Sequence, residues 1–238
     1  MTDHKIVSEA EWTEARRKLL AREKELTHLQ EQVAEERRAL PWVKVEKDYV
    51  FDAPEGRRTL SQLFDGRSQL IVYHFMFSPD WAAGCVGCSF LSDHIDGANQ
   101  HLKHHDVTYV AVSRAPLDKL LAYKKRMGWD FPWVSSAGSD FNYDYHVSFT
   151  KDEVAEGKAF YNFETADIGK MEDLHGTSVF FKDADGAIYH TYSAYARGDE
   201  RSLGTYMWLG ITPKGRDEGP KGNLTSWVKR HDEYGDAK

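Results

Sequence analysis

Two cysteines occur in this 238-residue chain, and they stand together as Cys85-Val86-Gly87-Cys88. Cysteine can serve as a nucleophile, a soft metal ligand or half of a disulfide. A bridge across two intervening residues would close almost no loop, so it would take little entropy from the unfolded chain. Stability is therefore a poor reason for the pair, and reactivity a better one. The flanking sequence supports that reading. Gln69 to Phe77 (QLIVYHFMF) is nearly continuously apolar, as expected of a strand covered on both faces. A turn follows at Ser78-Pro79-Asp80-Trp81, with Gly84 just before the first cysteine, and a helix is predicted from the pair to about His105. Unpaired N–H groups and the dipole at a helix start favour a thiolate. The three-residue step puts both sulfurs on one face of the first turn. Cys85, at the exposed end, is then the nucleophile, and the deeper Cys88 resolves the mixed disulfide.

Such a pair has other uses. Two free cysteines can be small buried hydrophobes. A zinc site would need two further ligands. His94 lies nine residues after Cys85, half a turn round an ideal helix, and does not complete such a site. His101, His104 and His105 fall near the helix C-terminus, where they offset the dipole. A distant histidine such as His175 leaves a cuprous site open. His175 can equally supply or accept a proton beside the cysteines. Trp81 is a candidate lid over the sulfurs, His74 reads as a satisfied core histidine, and Tyr143, Tyr145, Tyr192 and Tyr195 are candidates to line a cleft.

The elements that must hold this site read as strands alternating with helices. Residues 8–40 form one long helix, opened by Ser8 and Glu11 in capping-box spacing and stopped at Pro41. Its apolar positions, Trp12, Leu19, Leu26, Leu29 and Val33 among them, suit packing along its own domain or on a second copy of the chain. Trp42 to Phe51 is a predicted strand, followed by a turn at Pro54-Glu55-Gly56 and a helix over Leu60 to Phe64. Val107 to Ser113 is a second buried strand, Pro116 to Met127 a helix, and Phe131 to Ser135 a short strand. A helical turn is expected from Phe141 to His146. Thr177 to Lys182 and Ala187 to Ser193 form a hairpin around Asp183-Ala184-Asp185-Gly186. Leu203 to Leu209 is helical. This gives an α/β sheet, mostly parallel with an antiparallel edge, in three parts: an arm at 1–41, a domain at 42–212 and a polar tail at 213–238.

The formal charge of −7 argues against a general nucleic-acid binder, which needs a basic surface. No run of 18 apolar residues is long enough for a membrane span. The polar N-terminus lacks the apolar core of a secretory signal. A cytoplasmic location is expected.

The order of elements resembles the thioredoxin fold. The stretch from Pro116 to Ser135 with Asp140 to Val147 is similar to the insertion of the alkyl hydroperoxide reductase branch, a peroxiredoxin-type feature. His175 to Phe181, followed by Asp185-Gly186, is similar to that branch's late strand and hairpin. The whole chain resembles a bacterial thioredoxin-like family of unknown function, described as predicted dithiol-disulfide oxidoreductases. The matching stretches are Leu40 to Val43, Phe77 to Cys88, Phe141 to His146, His190 to Gly198 and Thr212 to Arg216. The resemblance implies the fold and the redox class and supplies no established substrate. The cysteine pair itself requires no cofactor, and it is expected to act on a protein or small-molecule disulfide or thiol and to be returned by a cellular thiol reductant. Thiol peroxidase activity and copper handling are the alternatives.

The chain also departs from the relatives. Ala82 stands where peroxiredoxins carry threonine, and Pro79 is one residue too close to the cysteine. Gly84 replaces the tryptophan that thioredoxins place before the first cysteine. Gly176-Thr177 stands where they carry a cis-proline, which makes Thr177 a supporting candidate beside Trp81 and His175.

Overall fold

The computed structural model describes residues 4–219 and 225–235. Residues 1–3 of the expected arm, and 220–224 and 236–238 of the expected tail, lie outside the described residues. The chain divides into two compact units, Met1–Pro41 and Trp42–Lys238.

The first unit is α1 (Glu9–Arg38). Ser8 caps it: its hydroxyl accepts from the Glu11 N–H, and the Glu11 carboxylate accepts from the Ser8 N–H at 2.9 Å. Glu9 and Glu11 open the helix and Arg37 and Arg38 close it, each sign matched to its end of the dipole. No residue of α1 is buried, and Trp12, Leu19, Leu26, Leu29 and Val33 are exposed.

The second unit begins with β1 (Val43–Lys44), β2 (Val50–Ala53), β3 (Gly56–Thr59), α2 (Leu60–Leu63) and β4 (Gln69–His74). Next come α3 (Val86–Ser92), α4 (Ile95–His104), β5 (Val107–Ser113), α5 (Leu117–Met127), β6 (Trp133–Ser135) and α6 (Phe141–Asp144). The chain continues with α7 (Lys151–Glu156), β7 (Lys158–Tyr161), β8 (Glu164–Asp167), β9 (Gly176–Lys182), β10 (Ile188–Tyr195) and α8 (Gly204–Leu209). Among the described residues, eight strands form one sheet in the order β1-β10-β9-β4-β5-β6-β2-β3. β4, β5 and β6 run parallel, but the other neighbouring pairs (β1–β10, β10–β9, β9–β4, β6–β2 and β2–β3) are antiparallel. The sheet is therefore not mostly parallel as expected: the β2–β3 and β9–β10 hairpins and the returning β1 extend it on both sides. The central order β5-β4-β9-β10, with a helix leaving the end of β4, is that of the thioredoxin fold. α5, β6 and α6 occupy the expected insertion.

Period-two alternation along β4 explains why the sheet is covered on both faces. Tyr73 and Phe75 join a cluster with Cys88, Phe90, Tyr123 and Trp133. Leu70 and Val72 join another with Val110, Phe141 and Phe180.

Several expectations are corrected. The single strand over Trp42 to Phe51 is two short strands at different places in the sheet: β1 pairs with β10, and β2 with β3 and β6. The charged Glu46-Lys47-Asp48 segment carries the chain between them, with Lys47 Nζ bonded to Asp140 at 2.8 Å and Asp144 at 2.7 Å. The helix after the cysteines is interrupted at Asp93-His94, where both side chains are drawn into long-range hydrogen bonds: Asp93 with Trp129 and His231, His94 with Thr205. The region 150–167, which carries no clear sequence pattern, holds α7 and the β7–β8 hairpin. Asn162 and Phe163 both take positive φ in its turn, and Asn-Phe does not announce such a turn as Asn-Gly would. The described residues after Pro213 are largely irregular, and part of them packs on the domain. Val228 is buried in the cluster around Cys88, Trp227 packs against it, and Arg126 pairs with Asp232 at 2.6 Å.

Candidate active site

Both cysteines are tied to the end of β4. The Cys85 N–H donates to the Met76 carbonyl at 3.1 Å, and the Met76 N–H points at Cys88 Sγ at 3.5 Å. Cys85 is the N-cap residue of α3, and its carbonyl accepts from the Ser89 N–H at 2.9 Å and the Ser89 hydroxyl at 2.8 Å. Gly84 is needed by close approach. A Cβ there would lie 2.6 Å from the Phe75 ring and 2.9 Å from that of Tyr123. From the C-terminal segment, Arg230 reaches the same spot. Its Nη2 donates to the Gly84 carbonyl at 2.7 Å, and its Nε to the Tyr123 hydroxyl at 2.9 Å. Tyr123 in turn meets the Ser89 hydroxyl at 2.9 Å. The turn that presents Cys85 is thus held by the sheet, by α5 and by the C-terminal segment together.

The two thiols differ in environment. Cys85 is partly exposed and Cys88 is buried. Burial pushes the Cys88 thiol well up, and the neighbouring Cys85 sulfur adds to this. Cys85 is shifted down. The largest cause is a hydrogen bond from the Cys88 side chain, assisted by the N–H groups of Cys88 and Gly87 and by the charge of His175, with burial opposing. Tyr73, itself buried, hydrogen-bonds to Cys88 and favours its thiolate. One thiol is thereby prepared to ionise first, and the other to hold its proton until the first is consumed.

Cys85 and Cys88 open on a cavity of about 400 Å³ whose wall includes Tyr73, Phe90, Leu91, Leu203 and Tyr206. His175 and Asp199 line it as well, and His175 Nδ1 lies 2.9 Å from Asp199 Oδ2. Asp199 is buried, so its carboxylate fixes Nδ1 as the protonated nitrogen and leaves Nε2 available to a bound molecule. Tyr161 sets the separation of the two segments. Its hydroxyl donates to the His175 carbonyl at 2.7 Å and accepts from the Ala196 N–H at 2.9 Å. The chain before β9 is fixed from its other side by Asp173. That buried carboxylate takes Arg114 Nε at 2.7 Å, Arg114 Nη2 at 3.1 Å and the hydroxyls of Ser78 and Ser148.

Of the expected residues, the structure brings Cys85, Cys88 and His175 to one cavity. Trp81 packs on the surrounding core but is not in the cavity wall. Thr177 lies in β9 between Tyr73 of β4 and Ala194 of β10, and also stands outside the wall. Of the four tyrosines expected in a cleft, none lines this cavity; Tyr73 and Tyr206 do. Tyr145 belongs to the core cluster of the other sheet face. His74 is only half satisfied. Nε2 meets the Ser178 hydroxyl at 2.9 Å, Nδ1 has no partner, and burial pulls its pKa down to about 3. Among the described residues, no three His, Cys, Asp or Glu side chains group as a metal site.

Sequence reasoning missed Asp199, Tyr73, Tyr161 and Arg230. The alternation of β4 would have assigned Tyr73 to the face that Phe75 shares. The others come from distant segments with no local signal.

Fold and site together define a thioredoxin-fold protein with a two-cysteine pair at the start of the helix that follows the central strand. The chain belongs to the family described as "Bacterial protein of unknown function (DUF899)", which it matches over residues 1–234. No curated protein matches it significantly. Among solved structures it is similar to peroxidoxin BcpB from Mycobacterium tuberculosis, with 15% identity and a TM-score of 0.45 over 70% of this chain and 95% of that one. It is also similar to a cysteine-to-serine variant of peroxiredoxin Q from Xanthomonas campestris, with 13% identity and a TM-score of 0.44 over 67% of this chain and 88% of that one. No helix among the described residues is long and apolar enough to cross a membrane.

Proposed function

We propose that this protein is a dithiol-disulfide oxidoreductase in which Cys85 attacks and Cys88 resolves. The observation that carries the reading is the unequal pair. A partly exposed thiol with a lowered pKa sits at the N-cap of α3, one helical turn from a buried thiol that hydrogen-bonds to it. Cys85 thiolate attacks a substrate disulfide and displaces one thiolate. Cys88 then attacks Cys85 Sγ, releases the second thiolate and leaves a Cys85–Cys88 disulfide. A cellular thiol reductant restores the dithiol. His175, which shares the cavity wall with Cys85 and is held by Asp199, serves in this reading as the proton donor to the leaving sulfur.

Cys88→Ser tests this. The variant should accumulate mixed disulfides through Cys85, identified by mass spectrometry after thiol quenching, and Cys85→Ser should accumulate none. Loss of bound copper from either variant, with no trapped adduct, would contradict it. Rapid consumption of hydroperoxide by reduced wild type, with no disulfide reduced, would assign a thiol peroxidase instead.

A further inference from the structure

We infer that the substrate is a low-molecular-weight, uncharged, apolar disulfide that enters the cavity beside Cys85, and not a disulfide in a polypeptide; this rests on the redox reading above. Three observations converge. The first is size and lining. About 400 Å³ walled by Tyr73, Phe90, Leu91, Leu203 and Tyr206 lies in the range of small-molecule sites and offers aromatic and aliphatic surface directly at the sulfur.

The second is that backbone groups a peptide would use beside the cavity are already engaged. An extended peptide binds by adding a strand to free N–H and C=O groups. Before β9 the Leu174 N–H is spent on the Val147 carbonyl at 2.9 Å, and the His175 carbonyl on Tyr161 at 2.7 Å. Gly176 is paired with His74 on one side and Tyr195 on the other, with the Tyr195 ring so close that a Cβ would meet it at 2.6 Å. β9 is an interior strand, and the sheet edges are β1 and β3.

The third is charge. Arg197, Glu200, Arg216 and Glu218 form a cluster of two cations and two anions: Arg197 pairs with Glu200, Arg216 Nη1 lies 2.9 Å from Glu200 and 3.4 Å from Glu218, and Arg197 Nη1 lies 3.6 Å from Glu218. Arg197 and Glu200 line the cavity, and His175 is matched by Asp199. Among the described residues the signs cancel, so the wall shows no surplus cation for the carboxylates of a glutathione-like disulfide.

The reaction balances within the site. Cys85 Sγ⁻ attacks one sulfur of RSSR, the S–S bond breaks, and the leaving RS⁻ takes the proton of the His175 imidazolium. The neutral imidazole then takes the proton of Cys88 as Cys88 Sγ attacks Cys85 Sγ, and the second RS⁻ leaves with that proton. The disulfide is reduced by two electrons to two RSH, and the cysteine pair is oxidised by two. A cellular dithiol returns them by exchange.

The test uses the full reduced chain and follows formation of the Cys85–Cys88 disulfide by mass spectrometry. The oxidants are 2,2′-dipyridyl disulfide, oxidised glutathione and insulin, and each rate is divided by that of the same oxidant with a free small thiolate. The normalised rate should be at least about tenfold higher for the dipyridyl compound than for either of the others. Leu203→Trp should lower the ratio of its rate to that of iodoacetamide alkylation of Cys85 by about tenfold. Leu203→Phe, the milder filling, should lower it in the same direction. Insulin or glutathione reacting as fast after normalisation, or a ratio indifferent to both fillings, would overturn the inference. If none of the three oxidants forms the Cys85–Cys88 disulfide, it is the oxidoreductase reading itself that fails.

Discussion

His175 and Asp199 form a buried-carboxylate dyad, with Nδ1 and Oδ2 2.9 Å apart, on segments separated by the whole of β9 and β10. The carboxylate orients the ring, and the positive charge of His175 is one of the causes that lower the Cys85 thiol. Asp199→Asn keeps the shape but removes the charge. Turnover of a disulfide should fall by roughly a hundredfold, the scale of a positioned acid–base group. His175→Ala should in addition move the pH profile of Cys85 alkylation upward, since a favourable positive charge is lost. An unmoved profile would mean that the dyad only holds the loop.

The thiols themselves give a second expectation. A thiol whose pKa is lowered is deprotonated, and so nucleophilic, at pH values where an ordinary thiol is not. Iodoacetamide should label Cys85 in the native reduced protein with an inflection below the ordinary thiol value of about 8.5. Cys88, buried and shifted up, should stay unlabelled until the protein is unfolded. Peptide mapping of the label reads both.

Gly84 and Arg230 supply a third. Gly84→Ala puts a methyl into the Phe75 and Tyr123 rings, and overpacking of this kind costs about 1–3 kcal/mol. Arg230→Met leaves the Gly84 carbonyl without its strongest donor, a loss of about 1–3 kcal/mol where the group is buried. Thermal unfolding should show both losses. Hydrogen exchange in Arg230→Met should rise first over the turn before α3, because that is where the contact is made.

A fourth concerns the buried ion pair beneath the loop before β9. Arg114→Met leaves the Asp173 carboxylate, 3% exposed, without its cation. Breaking such a pair from one side costs about 3–5 kcal/mol. Chemical denaturation should show a loss on that scale, with Asp173→Asn milder because its amide can still accept from Ser78 or Ser148.

Much of this was legible in the residues. β4 and β5 announce themselves by continuous apolar runs, and a strand buried on both faces has few other ways to be written. Ser8 and Glu11 mark the start of α1 by capping chemistry alone. The Cys85–Cys88 spacing, placed between β4 and a helix, points to the candidate site, the cavity that both cysteines line. What the sequence hid depends on pairing at a distance. Val43, Val45 and Tyr49 alternate as one strand would, and only the partners of the two ends, β10 for β1 and β3 and β6 for β2, separate them. Asp199 looks like any acidic residue in Arg197-Gly198-Asp199-Glu200 until the fold turns it inward beside His175. Tyr161 tied the two segments from a hairpin whose turn residues carry no glycine.

The most direct measurement is an equilibrium redox titration of the full chain in dithiol/disulfide buffers, with the state of both cysteines read by mass spectrometry after acid quenching. A resolving pair gives a single two-electron transition between the dithiol and an intramolecular Cys85–Cys88 disulfide, with a midpoint independent of protein concentration. Two thiols that stay reduced across the whole range, or a mixed disulfide that persists at Cys85 with Cys88 free, would contradict it.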